Sequence, residues 1–299
     1  MFLTWQFWNA LRFPMWRHPI FIQARKQREK VANTSRSWRF LQVGSLVAIS
    51  LLFFLFPTPA IVTSLGIIVG LPVLMIVFNG TILGAIWVTN ISATIAHAHR
   101  QHFDLLSLTP QGAYGVSWYL CTGAIHRHNW LRTVYRLLSW VIVLVLVLLA
   151  LAGLMLIVGY VTASDDIIRQ AQVNVLRDVI NIAFIVLALW LDHIQSIVIS
   201  ALLGMMLPTI LKDKVQLRTL APIIYLMIQL LTYLIVLLLY FVITAIMTGI
   251  WGTAFLVSTM IVSLTLISLY LLRETIISVL IRWIHIRYDV FDYEATQFN

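Results

Sequence analysis

The sequence predicts an all-α, polytopic integral membrane protein, on three observations. Hydrophobic residues make up 61% of the 299 and charged residues 10%, with a mean hydropathy of +0.94. A soluble globule averages about 25% charged residues, so this chain cannot furnish a water-facing shell. Apolar stretches long enough to cross a hydrocarbon core, which takes about 20 residues, recur along it. Basic residues fall almost entirely in alternate gaps between those stretches. A soluble catalytic domain of about 100 residues or more is excluded by this composition, and so is intrinsic disorder.

Residues 1–37 form a basic, aromatic N-terminal segment. Leu3, Phe7 and Leu11, with Trp5 and Trp8, recur at helical spacing, and Pro14 and Pro19 end the run. Aromatic side chains prefer the membrane–water boundary, so the segment predicts an interfacial amphipathic helix on the inner leaflet. It has no small-residue cleavage site and is not a signal peptide.

Residues 38–299 read as the transmembrane domain, with six spans. The first, 38–56, stops at Pro57, Thr58 and Pro59. The second, 61–96, is about 54 Å long at 1.5 Å per residue, so its far end projects beyond the bilayer. It carries Gly66 and Gly70, then Gly80 and Gly84, pairs whose spacing of four lets helices approach closely, and Pro72 between them predicts a kink. The remaining spans are 137–161, 174–207, 220–247 and 254–284, followed by a cytoplasmic tail over 285–299.

Charge sets the orientation. Of 20 Lys and Arg against 11 Asp and Glu, eight precede residue 40: Arg12, Arg17, Arg25, Lys26, Arg28, Lys30, Arg36 and Arg39. Arg100, Arg127, Arg132 and Arg136 follow span two; Lys212, Lys214 and Arg218 follow span four; Arg273, Arg282 and Arg287 lie at or beyond the end of span six. The opposite side holds only Arg169 and Arg177. By the positive-inside rule both termini are cytoplasmic, in a plasma (inner) membrane. The net charge of +9 is thereby accounted for without nucleic acid. The outer loops are too short for a receptor domain, so partners approach from the cytoplasm. The lone Cys121 excludes an intrachain disulfide.

The cytoplasmic segment at about 97–134 is the most informative stretch. Phe103, Leu105, Leu106 and Leu108 are too apolar for a solvated linker and need a partner surface. Together with Arg100, Asp104, Thr109 and Pro110 they resemble the coupling helix of type-2 ATP-binding cassette (ABC) exporter permeases. In that family the second span runs into a charged stretch, an acidic residue, Leu-Leu and Leu-Thr-Pro, and docks on the ATPase subunit. Here His97 and His99 replace acidic positions, and Gln101 with His102 replaces Gly-Thr. The stretch 195–233 is similar to the same family, including Ser200 to Gly204 and the basic run over 212–218. The resemblance implies that His99, Arg100, Phe103, Asp104, Leu105, Leu106, Leu108, Thr109 and Pro110 dock an ABC ATPase subunit. It implies a second permease copy, identical or not, surrounding membrane lipids, and ATP with Mg held by the partner. This chain has no GxxxxGK[ST] loop, needs no cofactor of its own and is expected not to be an enzyme.

Two further features carry chemistry. His97, His99, His102, His126 and His128 cluster in the cytoplasmic segment. On a helix the second and third point about 200° and 140° from the first, so the set does not converge on a metal. His97, His102, His126 and His128 are weak candidates for a membrane metalloenzyme, the first alternative function. A non-transporting scaffold with a permease-like fold is the second.

In span four, Asp178, Asn181, Asp192 and Gln195 share one helical face with Ile185, Ala188 and Ile199. A carboxylate near the bilayer centre costs about 2.5–3.5 kcal/mol on insertion scales and must face protein or water. The stripe lines a translocation path or hydrogen-bonds across a helix interface. Arg273 and Glu274, counted from the start of span six, fall at the inner interface.

Overall fold

The computed structural model describes residues 3–13, 18–26, 79–101, 112–127, 166–211, 213–251 and 255–297, with separate helical positions between 143 and 161. Two short helices, α1 (Leu3–Arg12) and α2 (Pro19–Lys26), come first. A π turn (Asn79–Leu83) leads into α3 (Gly84–Gln101), followed by α4 (Gly112–His126). Three long helices complete the chain: α5 (Asp166–Ile210), α6 (Lys214–Trp251) and α7 (Phe255–Gln297).

Four of these helices contain stretches long and apolar enough to cross a membrane: Gly80–Ala98, Gln172–Ile210, Val215–Trp251 and Val257–Tyr288. Lipid offers no hydrogen bonds, so a spanning chain must satisfy its backbone internally, and the helix does so even in runs rich in Ile and Val. The chain is therefore an all-α membrane protein. Spans four, five and six of the sequence reading overlap these helices, as does the described part of span two from residue 79; its earlier part, with Gly66, Gly70 and the kink expected at Pro72, lies outside the described residues. The first span lies outside the described residues, and the third is described only at separate helical positions. Helix α7 continues through 285–297, where the sequence suggested a tail, because membrane thickness does not oblige a helix to stop at the surface.

Contacts fix the relative directions. A side-chain carbon at Gly80 would sit 3.4 Å from Ser196 Oγ, and one at Gly204 would sit 2.8 Å from Ile91, so α3 and α5 run the same way. Arg273 meets Asp192 and Tyr288 meets the Met205 carbonyl, so α7 runs parallel to them. Helix α6 runs opposite: Gln229 meets Ser196, and Tyr233 meets Asp192.

The element ends follow local chemistry. Asp213 caps α6, its carboxylate accepting from the Val215 amide at 3.2 Å and its carbonyl from that of Leu217 at 2.9 Å. Pro19 opens α2, where its missing N–H is no loss. Gly112 enters α4 with φ of 65°, a conformation that a side chain would strain.

Helix α4 lies inside the segment that the sequence assigned to coupling, and it is largely buried in the protein's own core, with Val116 and Leu120 among its buried side chains. Its last residues fasten the N-terminal helices. His126 Nε2 contacts the Leu11 carbonyl at 2.7 Å, at the end of α1. The Arg127 guanidinium donates to the Ala24 carbonyl at the end of α2 and to Thr94 of α3, both at 3.3 Å. Donors suit these positions because the last carbonyls of a helix lack partners within it. Helix α1 buries Thr4, Trp8 and Leu11 on one face and exposes Trp5 and Phe13 on the other. At its start the Thr4 amide and hydroxyl both donate to the Glu274 carboxylate of α7.

Candidate functional site: a buried ion pair joining three helices

Asp192 of α5 is 1% exposed and Arg273 of α7 is fully buried. Arg273 NH2 stands 2.6 Å from Asp192 Oδ1. The Tyr233 hydroxyl of α6 donates to Asp192 Oδ2 at 2.8 Å, and the guanidinium carbon lies 5.3 Å from the centre of the Tyr233 ring. The pair thus draws together α5, α6 and α7.

A chain of neutral groups extends from it. Arg273 donates to Ser196 Oγ at 2.7 Å and to Gln229 Oε1 at 2.5 Å. The Gln229 amide donates to Ser196 Oγ at 3.1 Å and to the Tyr225 hydroxyl at 2.7 Å. Tyr225 in turn donates to the Gly80 carbonyl at 2.8 Å, so the network ends on the π turn. A π turn departs from the regular i to i−4 ladder, and here the carbonyl of Gly80 takes a partner from another helix. A side-chain carbon at Gly84 would overlap the Tyr225 ring, so the spacing of Gly80 and Gly84 serves this approach of α6.

Isolated charges in hydrocarbon are costly, and two opposite ones in contact that also satisfy each other's hydrogen bonds offset that cost. Among the described residues the site has no activated nucleophile and no anion-binding loop. Chemically it can clamp three helices and hold two charges neutral inside the membrane.

The stripe found in the sequence divides in the structure. Asp192 and Gln195 are inside the bundle, Gln195 donating to the Tyr270 carbonyl at 3.3 Å. Asp178 is exposed beside Arg177, at 3.1 Å, and Asn181 is half-buried. The count from residue 254 placed Arg273 at the surface, whereas it is the counter-ion of Asp192. Tyr225, Gln229 and Tyr233 were missed, although their spacing of four within a long apolar run is a readable signal of one polar face. His193 is also buried, with neither ring nitrogen hydrogen-bonded, and its Nδ1 lies 3.8 Å from where a side-chain carbon at Gly80 would stand.

Of the residues assigned to partner docking, His99 and Arg100 belong to the last turn of α3, and their side chains are outside the described set. Phe103, Asp104, Leu105, Leu106, Leu108, Thr109 and Pro110 lie outside the described residues, as do His102 and His128. His97 is exposed, and His126 is engaged with Leu11. Among the described residues no three His, Cys, Asp or Glu side chains form a group that could hold a metal. Cys121, in α4, is fully buried with its thiol toward the Ala201 carbonyl, and burial pushes its pKa well above the ordinary thiol value.

No protein-family model, no curated protein and no solved structure matches this chain.

Proposed function

We propose that the chain is the permease subunit of an ABC-type exporter, moving a substrate across the membrane with ATP hydrolysed by a separate subunit. The observation that carries this reading is α3. It runs without a break from its apolar stretch, Gly80–Ala98, to Gln101, and so delivers a rigid helix to the head of the segment containing Arg100 and Leu105 to Pro110. A displacement applied to that segment reaches the bundle as a rigid-body motion, which a flexible loop would absorb. The antiparallel run of α6 against α3, α5 and α7 is what alternating crossings require, and the reading takes these as six, with both termini cytoplasmic in the plasma membrane. In this reading a second permease copy completes the transporter, and the bound ATP and Mg belong to the partner.

The test is copurification of the tagged full-length chain in mild detergent. An ABC ATPase subunit is expected to accompany the wild type and to be lost from Leu105→Glu/Leu106→Glu. Undiminished association of the double variant would refute the docking assignment.

A further inference from the structure

We infer that the part of the bundle beyond the ion pair, away from the start of α6, holds a water-admitting polar cleft between α5, α6 and α7. The cleft takes an uncharged hydrogen-bonding group, with Tyr233, Asp192 and Arg273 as its floor. It locates the substrate-facing surface of the proposed permease, and in that respect rests on the permease reading.

Three buried polar atoms carry the inference: Asn181 Oδ1, Thr244 Oγ1 and Thr259 Oγ1, none of which has a hydrogen-bond partner. An orphaned polar group inside a membrane costs several kcal/mol. A threonine hydroxyl in a helix ordinarily avoids that cost by donating to the carbonyl one turn back. Thr232, Thr248 and Thr265 do so at 2.7, 2.7 and 2.8 Å. Thr244 and Thr259 do not, so their hydroxyls are turned away from an acceptor within reach. On the other side of the ion pair the hydroxyls of Ser92, Thr94, Ser200 and Thr209 are bonded to their own helices, although the ring nitrogens of His193 are not hydrogen-bonded.

Register places the three on the faces that carry the network. Asn181 precedes Asp192 by eleven residues, and Thr244 follows Tyr233 by eleven. Eleven residues bring a helix back to within about 20° of the same face, about 16 Å along its axis. Asp192 and Tyr233 are bonded and their helices antiparallel, so Asn181 and Thr244 lie at one height on facing sides. Thr259 precedes Arg273 by fourteen residues, about 21 Å, and returns to within about 40° of its face. Packing is sparse on two of the three helices at this height: among the described residues, α6 has no buried side chain beyond Thr232 and α5 between 172 and 191 has only Val186, while α7 buries Val257, Ile261, Thr265 and Leu269. The three groups are an amide and two hydroxyls, and the charges beneath them neutralise each other. That chemistry suits an uncharged hydrogen-bonding group and offers an ion no counter-charge.

The test is thiol accessibility in the full-length protein, reconstituted in lipid vesicles. The sole native cysteine, Cys121, is buried with its thiol protonated and contributes little background. Asn181→Cys, Thr244→Cys and Thr259→Cys are each exposed to charged methanethiosulfonates, which react with the thiolate in water. Val242→Cys, at the same height on the opposite, exposed face of α6, is the lipid-side control, and Ser200→Cys probes below the floor. The cleft variants are expected to react at least about tenfold faster than either control, since apolar surroundings suppress the thiolate. Anionic and cationic reagents should react at similar rates. Rates at Asn181→Cys and Thr244→Cys no higher than at Val242→Cys would overturn the cleft, with Thr259→Cys as an independent check should either variant misfold. Equal labelling of Ser200→Cys would overturn the floor, and a strong preference for one reagent charge would overturn the ligand class. Labelling as expected in a protein that recruits no ATPase would leave the cleft standing and remove the permease reading.

Discussion

Between the Asp192–Arg273 pair and the end of the bundle where α6 begins, neighbouring helices interlock: Gly204 receives Ile91, Gly84 receives Tyr225, and Ala221 and Leu217 are fully buried. Beyond the pair, among the described residues, α5 and α6 bury few side chains, while α7 still buries Val257 and Ile261. Of the most apolar stretch of α3, which lies wholly on the first side, 56% is buried, against 6% of that of α6, most of which lies on the other. Leu234, Leu238, Phe241 and Ile250 accordingly stand exposed. Hydrophobicity alone does not distinguish the two regions, because lipid accepts a leucine as readily as another helix does. Small residues and satisfied polar contacts make the difference. Helices in a membrane hold together where backbones approach closely or hydrogen bonds cross, and among the described contacts of α3, α5, α6 and α7 with one another both occur at the pair or on that first side.

The largest effect should come from the boundary itself. Removing one partner of a buried ion pair leaves an uncompensated charge, so Asp192→Leu alone or Arg273→Met alone should lower stability by about 3–5 kcal/mol. The double variant should recover most of that loss. Thermal unfolding in detergent measures both, and equal losses in single and double variants would show that the charges are not paired. Next comes the interlocked side. Gly84→Ala overpacks the Tyr225 contact and should cost about 1–3 kcal/mol, with much less cost in a Tyr225→Leu background. A penalty independent of Tyr225 would break the close-approach argument.

His126→Ala should cost about 1 kcal/mol and expose the Arg12 peptide bond to trypsin, since a contact to the end of α1 is lost. An unchanged digestion rate would count against that fastening. The smallest effect belongs to the open side: Asn181→Ala and Thr244→Ala should stay within about 0.5 kcal/mol of wild type, because no hydrogen bond is broken. Losses comparable to that of Gly84→Ala would mean that both regions are equally packed.

Much of this was legible in the residues. Spans on α5, α6 and α7 follow from unbroken apolar length, and Asp192 stands out as a carboxylate far from any surface. Its partner did not stand out, for a definable reason. Arg273 was placed by counting from an assumed helix start, while α7 is 43 residues long and carries more turns than a bilayer requires. A basic residue within such a helix marks the interface or a counter-ion, and only the neighbouring helix decides which. Arg282, nine residues further on, is the alternative marker. The Asp178–Asp192 stripe rests on angle alone, and angle does not say how far along a helix its neighbours remain in contact: Asp192 and Gln195 are buried, Asp178 is exposed. The burial of α4 was hidden for a related reason. The side chains read as needing a partner, Phe103, Leu105, Leu106 and Leu108, precede α4 and lie outside the described residues, while α4 itself packs against the chain's own α2 and α3.

The fastening of α1 has a consequence for biogenesis. Its two anchors lie 115 and 270 residues downstream, at His126 and Glu274. At a synthesis rate of about 5–20 residues per second, the first of these helices to leave the ribosome waits roughly 15–50 s for its second anchor. Until α4 is made, bringing Trp118 against Phe7 and His126 to the Leu11 carbonyl, α1 has only the membrane surface to hold its aromatic face. A helix made before either of its anchors is thus fully secured only once Glu274 is in place, and its complete docking reports that α7 has been inserted.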